Sequence, residues 1–209
     1  MMTDMNMKTF LDELSSSAPV PGGGGACGYV AAIGMSLGTM VANLTTGKKK
    51  YAEYQEEIEK MITDTAKLTD ELAECMDKDA ASFKPLADAY GLPKSTPEEI
   101  AHKEEVMEKA LVVASEAPLA MMEKILEAMI LLDRLSVIGS RIALSDVGVG
   151  IKLCEAAMNG ASLNVYINTG MMKDKSQVEK LNAKADDLIK RSEELSQITY
   201  ERVLKEIRK

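Results

Sequence analysis

The sequence has very few residues that bind metal ions or form nucleophile–base pairs. His102 is its only histidine, and Cys27, Cys75 and Cys154 are its only cysteines. A zinc site built from cysteine and histidine needs clustered ligands. A Ser-His-Asp triad or Cys-His dyad would have to use His102, which lies in a charged helical segment. We therefore expect no metal, no histidine-based triad and no disulfide framework. Scattered free cysteines are typical of the reducing cytosol.

Aromatic residues and positive charge are also scarce. Phe and Tyr make up 4% of the chain, there is no tryptophan, and the net charge is −8. Because a negative chain is repelled by nucleic-acid phosphates, we exclude nucleic acid as a partner. Asp4, Asp12 and Glu13 interrupt the N-terminal region, and no basic segment precedes an apolar one. We therefore expect no signal peptide and a cytoplasmic protein.

One long stretch carries no charge at all. No Asp, Glu, Lys or Arg lies between Glu13 and Lys48. The stretch contains a glycine-rich turn, Pro19–Gly25, followed by an apolar segment, Gly25–Thr46, that we predict to be a helix. Its Gly, Ser, Thr and Asn residues make it too polar for a membrane span. A helix without a polar face belongs at the centre of a protein or at a subunit contact, so we predict a core helix and no membrane.

The remaining sequence has mostly helical periodicity. We predict helices, two of them capped by Thr96 and by Ser145–Asp146, over Met5–Leu14, Tyr51–Ala89, Thr96–Leu132, Ser145–Met158 and Asp174–Lys209. Pro85 is expected to kink or end its helix, Pro118 to bend its helix, and Asn159–Gly160 to stop another, while 161–169 is ambiguous. No strand alternation and no internal repeat is present. The predicted fold class is all-α: a single domain, residues 1–209, forming a bundle of long helices around a central apolar helix rich in small residues.

The two ends of the predicted core helix could each bind an anion. At its start, Pro21–Gly24 would let a ligand approach the backbone, and free N–H groups there favour negative charge. A plain linker is the alternative for this turn. At its end, Lys48–Lys50 either complement the helix dipole or bind a polyanionic ligand.

Three further polar groups could carry chemistry. Asp79 lies in a helical segment where a solvated face is the alternative interpretation. Ser145 and Asp146 could be an ordinary N-cap. Asn164 and Asn168 would share one face of a helix, where their amides could bind a polar heterocycle or satisfy backbone groups.

Several short motifs, taken in order, resemble those of a known family. They are Pro21–Gly24, Met40–Thr45, Gly47–Tyr51, Asp79–Phe83, Leu92–Lys94, Ala117–Leu119, Ser145–Gly148 and Asn164–Asn168. No single motif is specific, but the ordered set resembles the cyclodeaminase/cyclohydrolase family of folate enzymes over nearly the whole chain. Gly25 replaces a frequent Ser, and Gly139–Arg141 replaces a frequent Gly-Asn. The second departure is similar to the cyclohydrolase branch.

The resemblance implies an all-helical homodimer that binds tetrahydrofolates. It implies 5,10-methenyltetrahydrofolate cyclohydrolase activity, in which water opens the methenyl bridge to give 10-formyltetrahydrofolate. Because the bridging carbon is already electrophilic, no metal or other cofactor is expected. The alternatives are formiminotetrahydrofolate cyclodeaminase, which releases ammonia, and a non-enzymatic helical interaction protein. The chain has no room for the transferase domain often fused to the deaminase.

The resemblance, together with charge, also implies roles for individual residues. We expect Lys48, with Lys49 as second choice, to be a desolvated acid–base group whose pKa is lowered. The expected catalytic residues are Lys48, Lys49, Asp79 and Asp146. Arg141 and the other lysines are expected to meet the glutamate carboxylates of the folate. The expected substrate-binding residues are Pro21, Gly22, Gly23, Gly24, Arg141, Ser145, Asn164 and Asn168.

Overall fold

The computed structural model describes all 209 residues and contains helices and no strands. The six α-helices are α1 (Met7–Leu14), α2 (Gly23–Asn43), α3 (Gln55–Tyr90), α4 (Pro97–Ile138), α5 (Leu144–Thr169) and α6 (Lys175–Ile207). Short 3-10 turns precede or join them at Met2–Asp4, Lys49–Tyr54 and Arg141–Ala143. The all-α prediction is confirmed.

Two helix N-termini are capped by a side chain at the residue where the predicted helix begins, and one is not. The Thr96 hydroxyl accepts a hydrogen bond from the Glu99 N–H, and the Glu99 carboxylate accepts from the Thr96 N–H, which confirms a capping box at the start of α4. Asp174 caps α6 in a similar way. The N-cap of α5, however, is Ala143, with no side-chain hydrogen bond. Ser145 and Asp146 therefore lie inside the first turn of α5, and their prediction as its cap is wrong.

Neither proline ends its helix, and the predicted stop at Asn159–Gly160 is wrong. Pro85 lies inside α3 and Pro118 inside α4. Helix α5 continues through Gly160 to Thr169, because this glycine is used for packing: a Cβ on Gly160 would lie 2.6 Å from the Cys27 Sγ. The close approach of α2 therefore explains a glycine that looks like a helix terminator in the sequence.

Helix α2 lies at the centre of the bundle and packs on α3, α4 and α5. Its small residues let α5 approach closely, since a Cβ on Gly34 would lie 2.8 Å from the Cys154 Sγ and 2.9 Å from the Gly150 carbonyl oxygen. Gly23 faces Asn164 near the other end of the pair. The two helices are therefore antiparallel, and the start of α2 lies beside the end of α5.

Of the six helices, α2 is the one that is long and apolar enough, by length and composition, to cross a membrane. Half of its apolar window is buried against the other helices. Its buried residues include Ala31, Met35, Val41 and Ala42, which belong to one continuous apolar core of 38 residues. This matches the prediction of a core helix.

Candidate active site

The predicted site residues form two groups at opposite ends of α2. We define the glycine end as Pro19–Gly24 with Asp79, Asn164 and Asn168. We define the lysine end as Thr45–Tyr51 with Ser140–Asp146. Helix α2 has 21 residues, and a rise of 1.5 Å per residue separates its ends by about 30 Å. Lys48 and Asp79 therefore do not meet within one chain.

The glycine end contains a small cleft of about 150 Å³. Its lining includes the turn itself and side chains from α3 and α5, among them Asp79, Ser82, Phe83, Asn164, Ile167 and Asn168. The first helical hydrogen bond of α2 runs from the Ala26 N–H to the Gly22 carbonyl, and no side chain caps the helix. The N–H groups of the preceding glycines therefore have no helical acceptor and remain available to a polar ligand.

Asp79 is the least compensated charged group at the glycine end. A Cβ on Gly24 would lie 2.2 Å from the Asp79 Oδ2, so only glycine fits against this carboxylate. The side chain is half-buried and accepts no hydrogen bond from the chain, and burial raises the pKa of the carboxyl above its ordinary value. Half-burial of an unpaired carboxylate costs stability, and such groups are frequent in functional sites. Asp79 is therefore a strong candidate acid–base group.

The two asparagines share one helical face, but their contacts differ. Asn168 is buried, and its Nδ2 donates to the Ala114 carbonyl at 2.9 Å. That carbonyl lies four residues before Pro118, which has no N–H to offer it, so Asn168 replaces a missing helical hydrogen bond. Asn164 is partly exposed, and its Nδ2 makes a longer bond of 3.3 Å to the Gly160 carbonyl. Of the two amides, Asn164 is the one more available to a ligand.

Cys27 also lies near the glycine end. Burial, followed by the charge of Asp79, raises the pKa of its thiol to about 11. The thiol is therefore protonated at neutral pH and is a poor nucleophile.

The lysine end is held together by hydrogen bonds between two loops. The Ser140 N–H donates to the Thr45 Oγ1 at 2.8 Å, and the Lys48 Nζ donates to the Ser140 Oγ at 3.1 Å. The Arg141 N–H donates to the Tyr51 hydroxyl at 3.0 Å. Thr45, Tyr51 and Ser140 were not among the predicted site residues. The motif Gly47–Tyr51 and the departure at Gly139–Arg141 were the sequence signals for them.

The charged groups at this end are mostly open to solvent. Lys48, Lys49 and Lys50 are exposed, so the single chain does not desolvate Lys48. Arg141 forms an ion pair with Glu206, which competes with its predicted contact to glutamate carboxylates. Asp146 is half-buried in the first turn of α5 and has no ion pair. Of the two predicted aspartates, Asp146 is the one that shares an end of the bundle with Lys48.

Metal binding has no candidate position, since no three His, Cys, Asp or Glu side chains lie close enough together to hold an ion. The three cysteines are free thiols.

Comparison with known proteins shows the family to which the chain belongs. Residues 6–187 match the family model described as Formiminotransferase-cyclodeaminase, and the chain belongs to that family. It is 36% identical over 197 residues to a methenyltetrahydrofolate cyclohydrolase of Methylorubrum extorquens, a match that covers 94% of this chain and 95% of the relative.

Other similar proteins are named as cyclodeaminases. The chain is 29% identical over 188 residues to the formimidoyltransferase-cyclodeaminase of Mus musculus, and the match covers 35% of that longer protein. A crystal structure of formiminotetrahydrofolate cyclodeaminase from Thermotoga maritima superposes over all of this chain and 98% of its own, with a TM-score of 0.82 and 25% identity. The family resemblance predicted from the motifs is confirmed.

Proposed function

We propose that this protein is a 5,10-methenyltetrahydrofolate cyclohydrolase, which hydrolyses the methenyl bridge to give 10-formyltetrahydrofolate. The observation that carries this proposal is the end-to-end match, at 36% identity, with a relative of that name. Each of the named relatives is an enzyme, so a purely structural role has no support among them. We place the enzyme in the cytoplasm.

The glycine end suits the reacting part of the substrate. The methenyl carbon lies in a cationic amidinium group, and an unpaired carboxylate is complementary to such a cation. Asp79 could bind this group or accept a proton from the attacking water, for which a raised pKa is favourable. The free N–H groups of the glycine turn and the Asn164 amide would meet the polar edge of the pterin. Because the carbon is already electrophilic, we propose that no metal or other cofactor is required.

The lysine end suits proton transfer and the anionic tail of the substrate. Lys48 is held by Ser140, whereas the Lys49 side chain has no hydrogen bond or ion pair and Lys50 lies over the Tyr51 ring. We therefore keep Lys48 as the proposed acid–base lysine, with Asp146 as the nearer aspartate. Lys49, Lys50 and Arg141 remain candidates for the glutamate carboxylates, Arg141 by exchanging its Glu206 partner.

A homodimer would bring the two ends together. Apolar side chains that are at least partly exposed recur at helical spacing along both α2 and α5, and we call them the α2–α5 face. They are Ala26, Val30, Ile33, Leu37 and Met40 of α2, Leu44 at its C-terminal cap, and Val149, Leu153, Ala156, Leu163 and Ile167 of α5. Ile167 is 67% exposed and Leu163 66%. Many exposed apolar side chains along two packed helices are typical of a subunit interface.

Charge favours one orientation of that dimer. A two-fold axis parallel to α2 would place the Lys48–Lys50 cluster near its own copy, where like charges repel. An axis perpendicular to α2 would place each lysine end over the glycine end of the partner, near the unpaired Asp79. We propose the second arrangement, in which each of two active sites uses residues of both protomers.

Formiminotetrahydrofolate cyclodeaminase activity is the second candidate. It is favoured by the likeness to the Thermotoga maritima structure, whose TM-score is 0.82. The two reactions share a bridging carbon but differ in what leaves, since the deaminase releases ammonia. An assay that follows both events separates them.

The test offers purified protein methenyl- and formiminotetrahydrofolate separately, in the presence of a chelator. We expect loss of the methenyl chromophore well above the buffer rate and no ammonia from the formimino substrate. Ammonia release without methenyl hydrolysis would establish the deaminase instead. Activity toward neither substrate would contradict both proposals.

A further inference from the structure

Tyr51 is placed so that its own proton has no acceptor in the chain. The phenolic oxygen accepts a hydrogen bond from the Arg141 N–H at 3.0 Å, and its own O–H donates to no group of the chain. The neighbouring Ser140 Oγ accepts from the Lys48 ammonium, which can only donate, at 3.1 Å. The phenol is therefore held by the Arg141 N–H, and its O–H remains free for a ligand.

The surrounding protein fixes this arrangement on both sides. Ser140 is 1% exposed, and its N–H is held by the Thr45 hydroxyl, which itself donates to the Val41 carbonyl at 2.6 Å. Tyr51 departs from helical backbone angles inside its 3-10 turn, and its N–H donates to the Lys48 carbonyl at 2.9 Å. The Ser140–Arg141 loop and the turn that carries Tyr51 are therefore fixed against each other, and the phenol is partly exposed.

We propose that Tyr51 is the acid that protonates the departing ring nitrogen in the hydrolysis proposed above. This inference rests on the proposed function. It assigns Tyr51 a role in the reaction and Ser140 a positioning role, because Ser140 fixes the loop whose Arg141 N–H holds the phenol.

The proton balance closes in three steps. Water adds to the cationic carbon and gives one proton to the Asp79 carboxylate, its acceptor as proposed above, and that proton later leaves to solvent. The carbon–nitrogen bond then breaks with its electron pair on nitrogen, while the Tyr51 O–H bond breaks and an N–H bond forms. The phenolate then takes a proton from solvent. The second water proton leaves to solvent as the carbonyl forms, because a cationic bridge becomes a neutral formyl group.

The charges around the phenol support an acidic tyrosine. Partial burial acts to raise its pKa, but the Arg141 N–H, Lys50, Ser140 and Lys48 together lower the pKa of Tyr51 below its ordinary value. Lys50 lies 5.6 Å above the Tyr51 ring. Glu206, from α6, is engaged by Arg141 and so does not face the phenol as a free charge.

The experiment compares Tyr51→Phe with wild-type enzyme and with Tyr54→Phe, a control in the same 3-10 turn whose ring lies against Arg134 instead. We expect Tyr51→Phe to lower kcat by about 10²-fold with little change in KM, as for removal of a general acid. The wild-type kcat should fall at high pH as the phenol ionises, and Tyr51→Phe should lose that fall. Ser140→Ala should slow turnover less, and Tyr54→Phe should behave as wild type.

A second measurement does not depend on turnover. Titration of tyrosinate absorbance in wild type minus Tyr51→Phe should show one phenol ionising below the ordinary tyrosine pKa of about 10. If wild type hydrolyses the substrate but Tyr51→Phe matches it in kcat and pH profile, the inference is overturned and the proposed function stands. If wild type is inactive, both fall. An ordinary titration of Tyr51 would also contradict the inference.

Discussion

The two ends of α2 differ in the burial and the partners of their charged side chains. At the glycine end, the backbone closes on a single carboxylate, Asp79, and gives it no partner. At the lysine end, three cations stay exposed while Ser140 and Tyr51 are fixed by hydrogen bonds. One end is thus a cleft that holds a single unpaired carboxylate, and the other is a cluster of cations beside two fixed hydroxyl groups. The comparison indicates that each end is half of a site.

The largest effect is expected at the lysine end. Lys48→Met should lower kcat by about 10²-fold or more, the usual range for loss of an acid–base group. Lys49→Met and Lys50→Met are the controls and should mainly raise KM, in a salt-dependent manner, as expected for contacts with an anionic tail. Steady-state kinetics at two ionic strengths measures both. Three variants with the same behaviour would mean an electrostatic patch rather than one catalytic lysine.

The packing of α2 on α5, which positions both ends, can be disrupted at Gly34. Leucine at this position would overpack the α2–α5 contact, where the Cys154 Sγ and Gly150 oxygen leave no room for a Cβ. We expect the free energy of unfolding to fall by about 1–3 kcal/mol or more, measured by urea denaturation. Gly91→Leu, whose nearest atom is 3.4 Å away, is the tolerant control. A fully stable Gly34→Leu protein would contradict this packing.

The two asparagines of the glycine end should differ in role: Asn168 should stabilise the fold, and Asn164 should bind the substrate. Asn168→Ala leaves the Ala114 carbonyl without a donor and should cost about 1–3 kcal/mol of stability. The same change in a Pro118→Ala background should cost less, because residue 118 then supplies the missing N–H. Asn164→Ala should instead raise KM with little loss of stability. Equal losses of stability in both asparagine variants would refute the distinction.

The smallest effect concerns the stability cost of Asp79. A carboxyl whose pKa is raised on folding stabilises the folded state most below its ordinary pKa of 3.8, and that contribution is lost as pH rises through the folded-state value. Asp79→Asn should therefore have a slightly higher Tm than wild type at neutral pH, and the difference should vanish in acid. Asp70→Asn, at an exposed position, is the control. A lower Tm for Asp79→Asn at neutral pH would mean that the carboxylate is stabilised in the fold.

Much of the fold could be predicted because its determinants are local. The Thr96 capping box and the uncharged composition of α2 lie in short stretches of sequence, and both were interpreted correctly. The errors arise where tertiary contacts override local signals. Gly160 looks like a helix terminator, yet Cys27 packs against it, and Pro118 is tolerated because Asn168 compensates it from another helix.

The candidate site was predicted residue by residue but not as an arrangement. Lys48, Asp79 and Asp146 stand in short motifs, so their identities could be read from sequence. That Asp79 lies about 30 Å from Lys48 follows only from the length and direction of α2. Tyr51 and Ser140 were not predicted as site residues because the hydrogen bond that joins Tyr51 to the Ser140–Arg141 loop spans 90 residues of sequence.

Mixed dimers test the central claim, that each active site combines the glycine end of one protomer with the lysine end of its partner. Asp79→Asn and Lys48→Met chains, each expected to lose most of its activity alone, are co-expressed with different tags, and the heterodimer is purified. Because an isologous dimer has two equivalent sites, the heterodimer should contain one intact site and recover about half of the wild-type activity. If both ends of each site belonged to the same chain, every site would carry one substitution and the heterodimer would remain inactive. A heterodimer without activity, or a protein that is monomeric at working concentration, would contradict the account.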